Sequence, residues 1–226
     1  IHLNHILVQP DYEFPVYASA AGGGIITTAT PDLVIENSDI SGQGDDGLDV
    51  GHVYFGTAPD GGNWIKWQKP NTTIPLQSHL MSEFVGVGKT VALYNINHEV
   101  LQTSTIEEVS VDKLRVRLSS APNPNVVYAM VTDYKPVRIV IRNNVLHDNR
   151  ARGMIINAQH ALIENNLVYR STMAAMISVN DPGAWAHGPD IENMLIRNNE
   201  FYDLNSHPVD DGTGFWKSGM LNFGLV

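Results

Sequence analysis

The chain has 226 residues, 43% of them hydrophobic, and a formal charge of −10 from 14 Lys and Arg against 24 Asp and Glu. That length holds one large domain or two small ones, no apolar run approaches the ~20 residues of a membrane span, and an acidic balance without a basic cluster speaks against nucleic acid as a partner. Cysteine is absent, which removes disulfides, thiolate metal sites and thiol nucleophiles.

In chain order, the first recurring feature is a small residue before an apolar strand. Gly24-Ile25-Ile26 and Gly47-Leu48-Asp49-Val50 carry it 23 residues apart. Between them lies Leu33-Val34-Ile35-Glu36-Asn37-Ser38. This phrase returns as Ile139-Val140-Ile141-Arg142-Asn143-Asn144, Ala161-Leu162-Ile163-Glu164-Asn165-Asn166 and Met194-Leu195-Ile196-Arg197-Asn198-Asn199. The later asparagines are spaced by 22 and 33 residues, and the small-residue column resumes at Gly153 and Ala175, 22 apart. Short strands at such a period mark a solenoid whose units bury apolar faces only by stacking. An Asn after each strand suits the left-handed backbone of a tight corner, and stacked Asn side chains can bond rung to rung. The expected fold is all-β: a right-handed parallel β-helix of about six coils, at ~23 residues each.

The step from Gly47 to Gly153 is 106 residues, so it contains an excursion of about 84 residues, the size of a small domain. Strand-like texture recurs within it at Thr90–Tyr94, Val109–Val111, Leu114–Leu118 and Val126–Val131. Pro-, Gly- and Asn-rich turns lie at Pro59–Asn63 and Pro122–Asn125. No segment has a sustained helical period. The expected organisation is a first β-helix part at 1–53, an inserted antiparallel β barrel or sandwich at 54–136, and a second β-helix part at 137–226. The open ends of so short a solenoid expose strand edges. Ile1-His2-Leu3 has no capping element or signal-like segment before it. The expectation is therefore a piece of a longer protein, extracellular or periplasmic, with the remainder of the chain or a second copy covering the ends.

The two columns make a spatial prediction. If Gly47 and Gly153 are neighbours ~4.8 Å apart, Asp46 stacks beside Arg152 and Gly44 beside Arg150, although 106 residues separate each pair. Gly44-Asp45-Asp46-Gly47-Leu48-Asp49 and Asn149-Arg150-Ala151-Arg152-Gly153 then form one patch. Gly22 and Gly23 lie on the rung below, and a loop with Asp181, Trp185 and His187 on the rung above. Paired carboxylates whose environments separate their pKa values can protonate a glycosidic oxygen and activate water. An adjacent Arg holds one carboxylate ionised, and an indole face suits a sugar ring. Asp45 and Asp46 are the catalytic candidates; Asp49, Arg150, Arg152, Trp185 and His187 are the substrate-binding candidates. Bland readings stand beside these: an Asp–Arg pair is also a common structural ion pair, Asp49 a solvated outward residue, Trp185 a cover for the solenoid side, and His187 a loop hydrogen bonder. Asp210-Asp211-Gly212 reads as a surface turn. The remaining histidines have no zinc spacing, and arginines beside the acids argue against a cation, so no metal or cofactor is expected.

These segments, in the order acid pair, β-rich insertion, Ile141-Arg142-Asn143-Asn144 and Asn149-Arg150-Ala151-Arg152-Gly153, resemble glycoside hydrolase family 110 from about Leu33 to Phe201. The resemblance implies inverting, exo-acting, metal-independent α-galactosidases on a parallel β-helix with an inserted β domain. It places Asp45 and Asp46 at the acid/base positions, and Arg150 and Arg152 along the galactose site. The chain departs from the family in having Asp49 for an Asn, Gly51-His52 for His-Gly, and His187 where an acid is expected. No carboxylate lies near Gly22–Gly24.

The leading expectation is thus an inverting glycoside hydrolase that releases a terminal sugar from an oligo- or polysaccharide. A polysaccharide lyase using Arg150 and Arg152 is the second enzyme class, and a non-catalytic carbohydrate-binding or structural β-helix is the third.

Overall fold

The computed structural model describes residues 1–11, 24–27, 30–51, 54–67, 84–180, 187–188, 191–206 and 220–225. Six strands come first: β1 (His2–Asn4), β2 (Leu7–Val8), β3 (Ile25–Thr27), β4 (Asp32–Glu36), β5 (Asp39–Ser41) and β6 (Leu48–Val50). Six more follow: β7 (Tyr54–Pro59), β8 (Trp64–Trp67), β9 (Thr90–Tyr94), β10 (Val100–Val109), β11 (Arg115–Leu118) and β12 (Tyr128–Val131), then a 3₁₀ turn at Thr132–Tyr134. The last nine are β13 (Arg138–Arg142), β14 (Val145–His147), β15 (Met154–Ile156), β16 (His160–Glu164), β17 (Leu167–Tyr169), β18 (Met176–Asn180), β19 (Met194–Arg197), β20 (Glu200–Tyr202) and β21 (Leu221–Leu225).

The first six and last nine strands form three parallel five-stranded sheets, ordered β1-β4-β13-β16-β19, β2-β5-β14-β17-β20 and β21-β18-β15-β6-β3. The chain visits them in strict rotation, one strand per sheet, so each set of three strands is one circuit. Among the described residues the strands make five circuits. The first circuit is built on Ile1–His5, whose β1 pairs with β4 although its sequence keeps little of the repeated phrase.

Two successive residues make each corner after the first sheet. Asn37, Asn143, Asn165 and Asn198 all have φ between 53° and 56°, the left-handed region that Asn tolerates best after Gly. The next residue turns inward and bonds to the next rung. Ser38 N donates to Asn144 Oδ1 (3.0 Å), Asn144 N to Asn166 Oδ1 (3.0 Å), and Asn166 N to Asn199 Oδ1 (2.9 Å). The amide nitrogens complete the ladder: Asn144 Nδ2 donates to Ile35 O and Asn166 Nδ2 to Ile141 O. The first residue of each corner thus bends the chain and the second satisfies buried backbone groups, while Asn37 Nδ2 also donates to Asn4 Oδ1 (2.9 Å) and Asn143 Nδ2 to Asn37 Oδ1 (3.3 Å) across rungs at the surface. The charged position preceding them alternates in sign along the stack, pairing Glu36 with Arg142 and Glu164 with Arg197.

Inside the sheets, Leu33, Ile35, Ile40, Leu48, Val50, Ile139, Ile141, Leu146, Met154, Ile156, Ile163 and Val168 are fully buried in one core. The chain divides into two compact units, and this core belongs to the unit of 1–51, 136–180 and 190–226. The other unit, 52–135 with 181–189, holds a closed antiparallel barrel in the order β10-β11-β8-β7-β12-β9. Its core is Phe55, Ile65, Trp67, Val91, Leu93, Ile106, Val116, Leu118 and Ala129. The alternation of Leu114–Leu118 shows in β11, where Val116 and Leu118 are buried between exposed or half-buried arginines. Three barrel strands were not legible in advance. β7 and β8 carry aromatic residues among turn formers, and β10 reads as polar because four of its ten residues are Ser, Thr or Gln. The expected strand at Val109–Val111 is instead the end of β10 and a turn, with Val111 fully exposed.

Asn144→Ala removes the acceptor for a buried backbone N–H and two donated bonds. It is expected to lower stability by roughly 2–4 kcal/mol, measured by urea denaturation, without changing the fold.

Candidate active site

The site is built at the corner between the second and third sheets, on the second and third circuits. After β5, Gly42 takes a left-handed conformation (φ 64°), and a Cβ there would collide with Pro10. On the next rung Asp148 makes the same turn (φ 56°) after β14. The two loops that follow, 43–47 and 149–153, are laced together by backbone bonds. Arg150 N donates to Gln43 O (2.9 Å), Ala151 N to Asp45 O (3.2 Å), Gly47 N to Arg152 O (2.9 Å) and Leu48 N to Gly153 O (3.0 Å). The rung continues into the strands, with Leu48 opposite Met154 and Asp49 opposite Ile155. The small-residue column has a steric cause. A methyl group on Gly47 would lie 2.6 Å from Gly153 O, and one on Gly153 2.5 Å from Ala175 O.

This lacing brings the sequence-distant charges together. Asp46 is 6% exposed, and its Oδ1 accepts from both Arg152 N (2.8 Å) and Arg152 Nη1 (3.0 Å), while Oδ2 lies 3.2 Å from the same Nη1. Burial pushes the Asp46 carboxyl up to about 6 from an ordinary 3.8. The Arg152 guanidinium pulls the other way, and the negative charges of Asp45 and Asp49 add to the upward push. The outcome is an acid that changes protonation near neutral pH, held in one orientation by two N–H donors. Asp45, next in the chain, is half-buried. Arg150 is exposed, and its Nε is hydrogen-bonded to Gly44 O. Asp49 lies on β6 between the inward-facing Leu48 and Val50, so it occupies the opposite face of that sheet.

Five of the seven predicted site residues thus fall in one patch: Asp45, Asp46, Asp49, Arg150 and Arg152. His187 is buried and groups with the second compact unit. Trp185 lies outside the described residues, as do Gly22, Gly23, Asp181, His52 and the Asp210-Asp211-Gly212 turn. Among the described residues no group of three or more His, Asp or Glu is placed to hold a metal ion.

Sequence reasoning missed the apolar neighbours of Asp49. Ile155, Ala174 and Ile177 form a separate cluster, each 2–3% exposed, and Ile155 is the rung partner of Asp49. The signal was present in Met154-Ile155-Ile156, a continuous apolar run where a one-sided strand would alternate. The acid column is therefore bordered by dry surface, which strengthens electrostatic effects there.

Among curated proteins the chain is similar to the alpha-1,3-galactosidase B of Bacteroides thetaiotaomicron, 28% identical over 143 residues that make up 63% of this chain and 22% of that protein. It is also similar to the alpha-1,3-galactosidase B of Akkermansia muciniphila, 33% identical over 70 residues, 30% of this chain and 9% of that protein. The matched region spans less than a quarter of the length of either relative. No family model matches the chain. The similarity to these two proteins supports the relationship to glycoside hydrolase family 110 drawn from the motifs.

A carboxyl raised from 3.8 to about 6 in the folded chain binds its proton more tightly there than in the unfolded chain. Its stabilising contribution is complete below about pH 4 and lost as pH rises through about 6, a difference worth roughly 3 kcal/mol. Unfolding free energies of wild type and Asp46→Asn measured from pH 4 to 7 are expected to diverge in that window. Wild type is expected to lose stability relative to the variant as pH rises.

Proposed function

We propose that this chain carries the catalytic core of a glycoside hydrolase that releases a terminal sugar with inversion, with α-galactosides as its substrate class. The scaffold in this reading is a right-handed parallel β-helix, its three sheets wound as successive coils, with the barrel as an insertion. The observation that carries the proposal is Asp46: a buried carboxyl, pushed up to about 6 and fixed by Arg152 beside a second, more exposed acid. The names of the two relatives supply the sugar and the reaction class.

In this mechanism Asp46 is the general acid. Protonated, it donates to the glycosidic oxygen as the bond to the anomeric carbon breaks, and the carboxylate left behind is stabilised by the Arg152 guanidinium. Burial alone would hold the proton too tightly, and the arginine alone would release it too early; a pKa near working pH makes transfer efficient. Asp45 is the base. It takes a proton from a water that attacks the anomeric carbon from the opposite face, so the sugar leaves with inverted configuration and one water is consumed. Arg150, exposed at the rim, and Asp49 bind sugar hydroxyls.

Sugar release from a panel of aryl glycosides tests the reading. Aryl α-galactoside is expected to be cleaved to the β-anomer first, followed by proton NMR. Asp45→Asn and Asp46→Asn are each expected to lower kcat by about 10²–10⁴-fold. The wild-type kcat/KM should fall as pH rises through about 6, where Asp46 gives up its proton. Products absorbing in the ultraviolet would establish a lyase instead. Folded wild type that binds polysaccharide, cleaves none of the panel and is unaltered by either Asn variant would establish a binding module.

A further inference from the structure

We propose that Asn149 is a positioning residue for the acid loop, its buried side chain holding the backbone on which Asp45 and Asp46 ride; this rests on the hydrolase reading and deepens it. Asn149 is 1% exposed and stands directly under the loop. Its Oδ1 accepts the backbone N–H of Gln43 (3.1 Å), the residue that opens Gly44-Asp45-Asp46. Its Nδ2 packs at the other end of that loop, 2.8 Å from where a Cβ on Gly47 would stand. One side chain therefore touches both ends of the segment carrying the two acids. Through Gln43 O and Asp45 O the same segment is bonded to Arg150 N and Ala151 N, which lead into the arginine that orients Asp46.

The other corner of the same circuit supplies a comparison within the molecule. Asn144 does the same structural work, accepting the N–H of Ser38 across the same 106-residue step. Its Nδ2 is fully used, donating to Ile35 O and Asn166 Oδ1. Asn149 Nδ2, by contrast, is buried without a hydrogen-bond partner among the described residues, and so are Gln43 Oε1 and Ser171 Oγ in the same column. An amide placed only for stability would be satisfied as Asn144 is. A locally costly arrangement gathered under the acids, at Gln43, Asn149 and Ser171 on three successive rungs, is what a functional constraint leaves behind. Catalysis by a positioned acid is sensitive to displacements of an ångström, so a small shift of this loop matters for rate far more than for folding.

The test compares Asn149→Ala with Asn144→Ala in the full chain. Three readouts are used: turnover of aryl α-galactoside, thermal stability, and the titration of the Asp46 carboxyl followed by carbon-13 NMR. Asn149→Ala is expected to lower kcat about 10- to 100-fold with little change in KM. It is also expected to move the Asp46 midpoint down toward the usual carboxylate range as the loop loosens and admits water. Asn144→Ala is expected to lose stability while keeping both kcat and the midpoint. Asn149→Asp, of the same shape and kept protonated by burial, retains the acceptor for Gln43 and is expected to restore kcat toward wild type. Asn149→Ser is read in the same way as the alanine variant and serves if that variant does not fold. A folded Asn149→Ala or Asn149→Ser variant with wild-type kcat and an unmoved Asp46 midpoint would overturn the proposal, as would an equal loss of kcat in Asn144→Ala. If wild type cleaves no glycoside, the hydrolase reading fails on its own. The Asp46 midpoint in the two alanine variants still decides the positioning role, and an unmoved midpoint in Asn149→Ala then overturns it.

Discussion

Parallel backbone pairing between the second and third circuits is the constraint on which the rest of this structure depends. The offset between them is 106 residues in the first sheet, the second sheet, both corners and the third sheet alike. Asp32 meets Arg138, Ser38 meets Asn144, Gln43 meets Asn149, and Leu48 meets Met154. The third and fourth circuits keep a constant offset of 22 in the same way. A constant offset means that no residue is gained or lost between rungs over those stretches. Every inward side chain then meets its counterpart, because a slip of one residue would turn the whole apolar set outward. The insertion is tolerated because it leaves after the third sheet and returns before the first, outside the stretch that must stay in phase.

Chemistry follows from that phase. Two acids in a surface turn would both ionise and do little. The stacking rung buries Asp46, supplies Arg152 N and Nη1 to its Oδ1, and leaves Asp45 more exposed one residue away. Desolvation and ion pairing are opposed there, and desolvation prevails, which is why this carboxyl titrates near neutrality while bonded to an arginine. Neither effect belongs to the Asp-Asp-Gly phrase. Both come from the neighbour that the solenoid-like stacking places beside it.

The glycines at 24, 47 and 153 show the cost of close stacking. Each sits where a methyl group would meet a carbonyl oxygen of the next rung at 2.5–3.1 Å, so the loops bearing the charges can approach only through residues without a Cβ. The same closeness buries Gln43, Asn149 and Ser171 behind the loops. The corner that carries the acids is thus closely packed, and Gln43 Oε1, Asn149 Nδ2 and Ser171 Oγ lie buried in it without a hydrogen-bond partner among the described residues.

Much of the architecture was legible in the residues because its causes are local. Asn tolerates a left-handed corner wherever it stands, alternating apolar positions define a one-sided strand, and a repeated phrase with constant spacing places Asp46 beside Arg152 before any coordinates exist. Where local signals weaken, less was legible: β10 is polar on its surface and the first circuit lacks the Asn pair. Only the tertiary structure decided which Asn bends at the surface and which is buried, that the insertion closes into a six-stranded barrel, and that Asp46 rather than Asp45 is the buried acid. Those outcomes depend on which atoms exclude water from which, and exclusion of water is a property of the packed whole that no short stretch of chain contains.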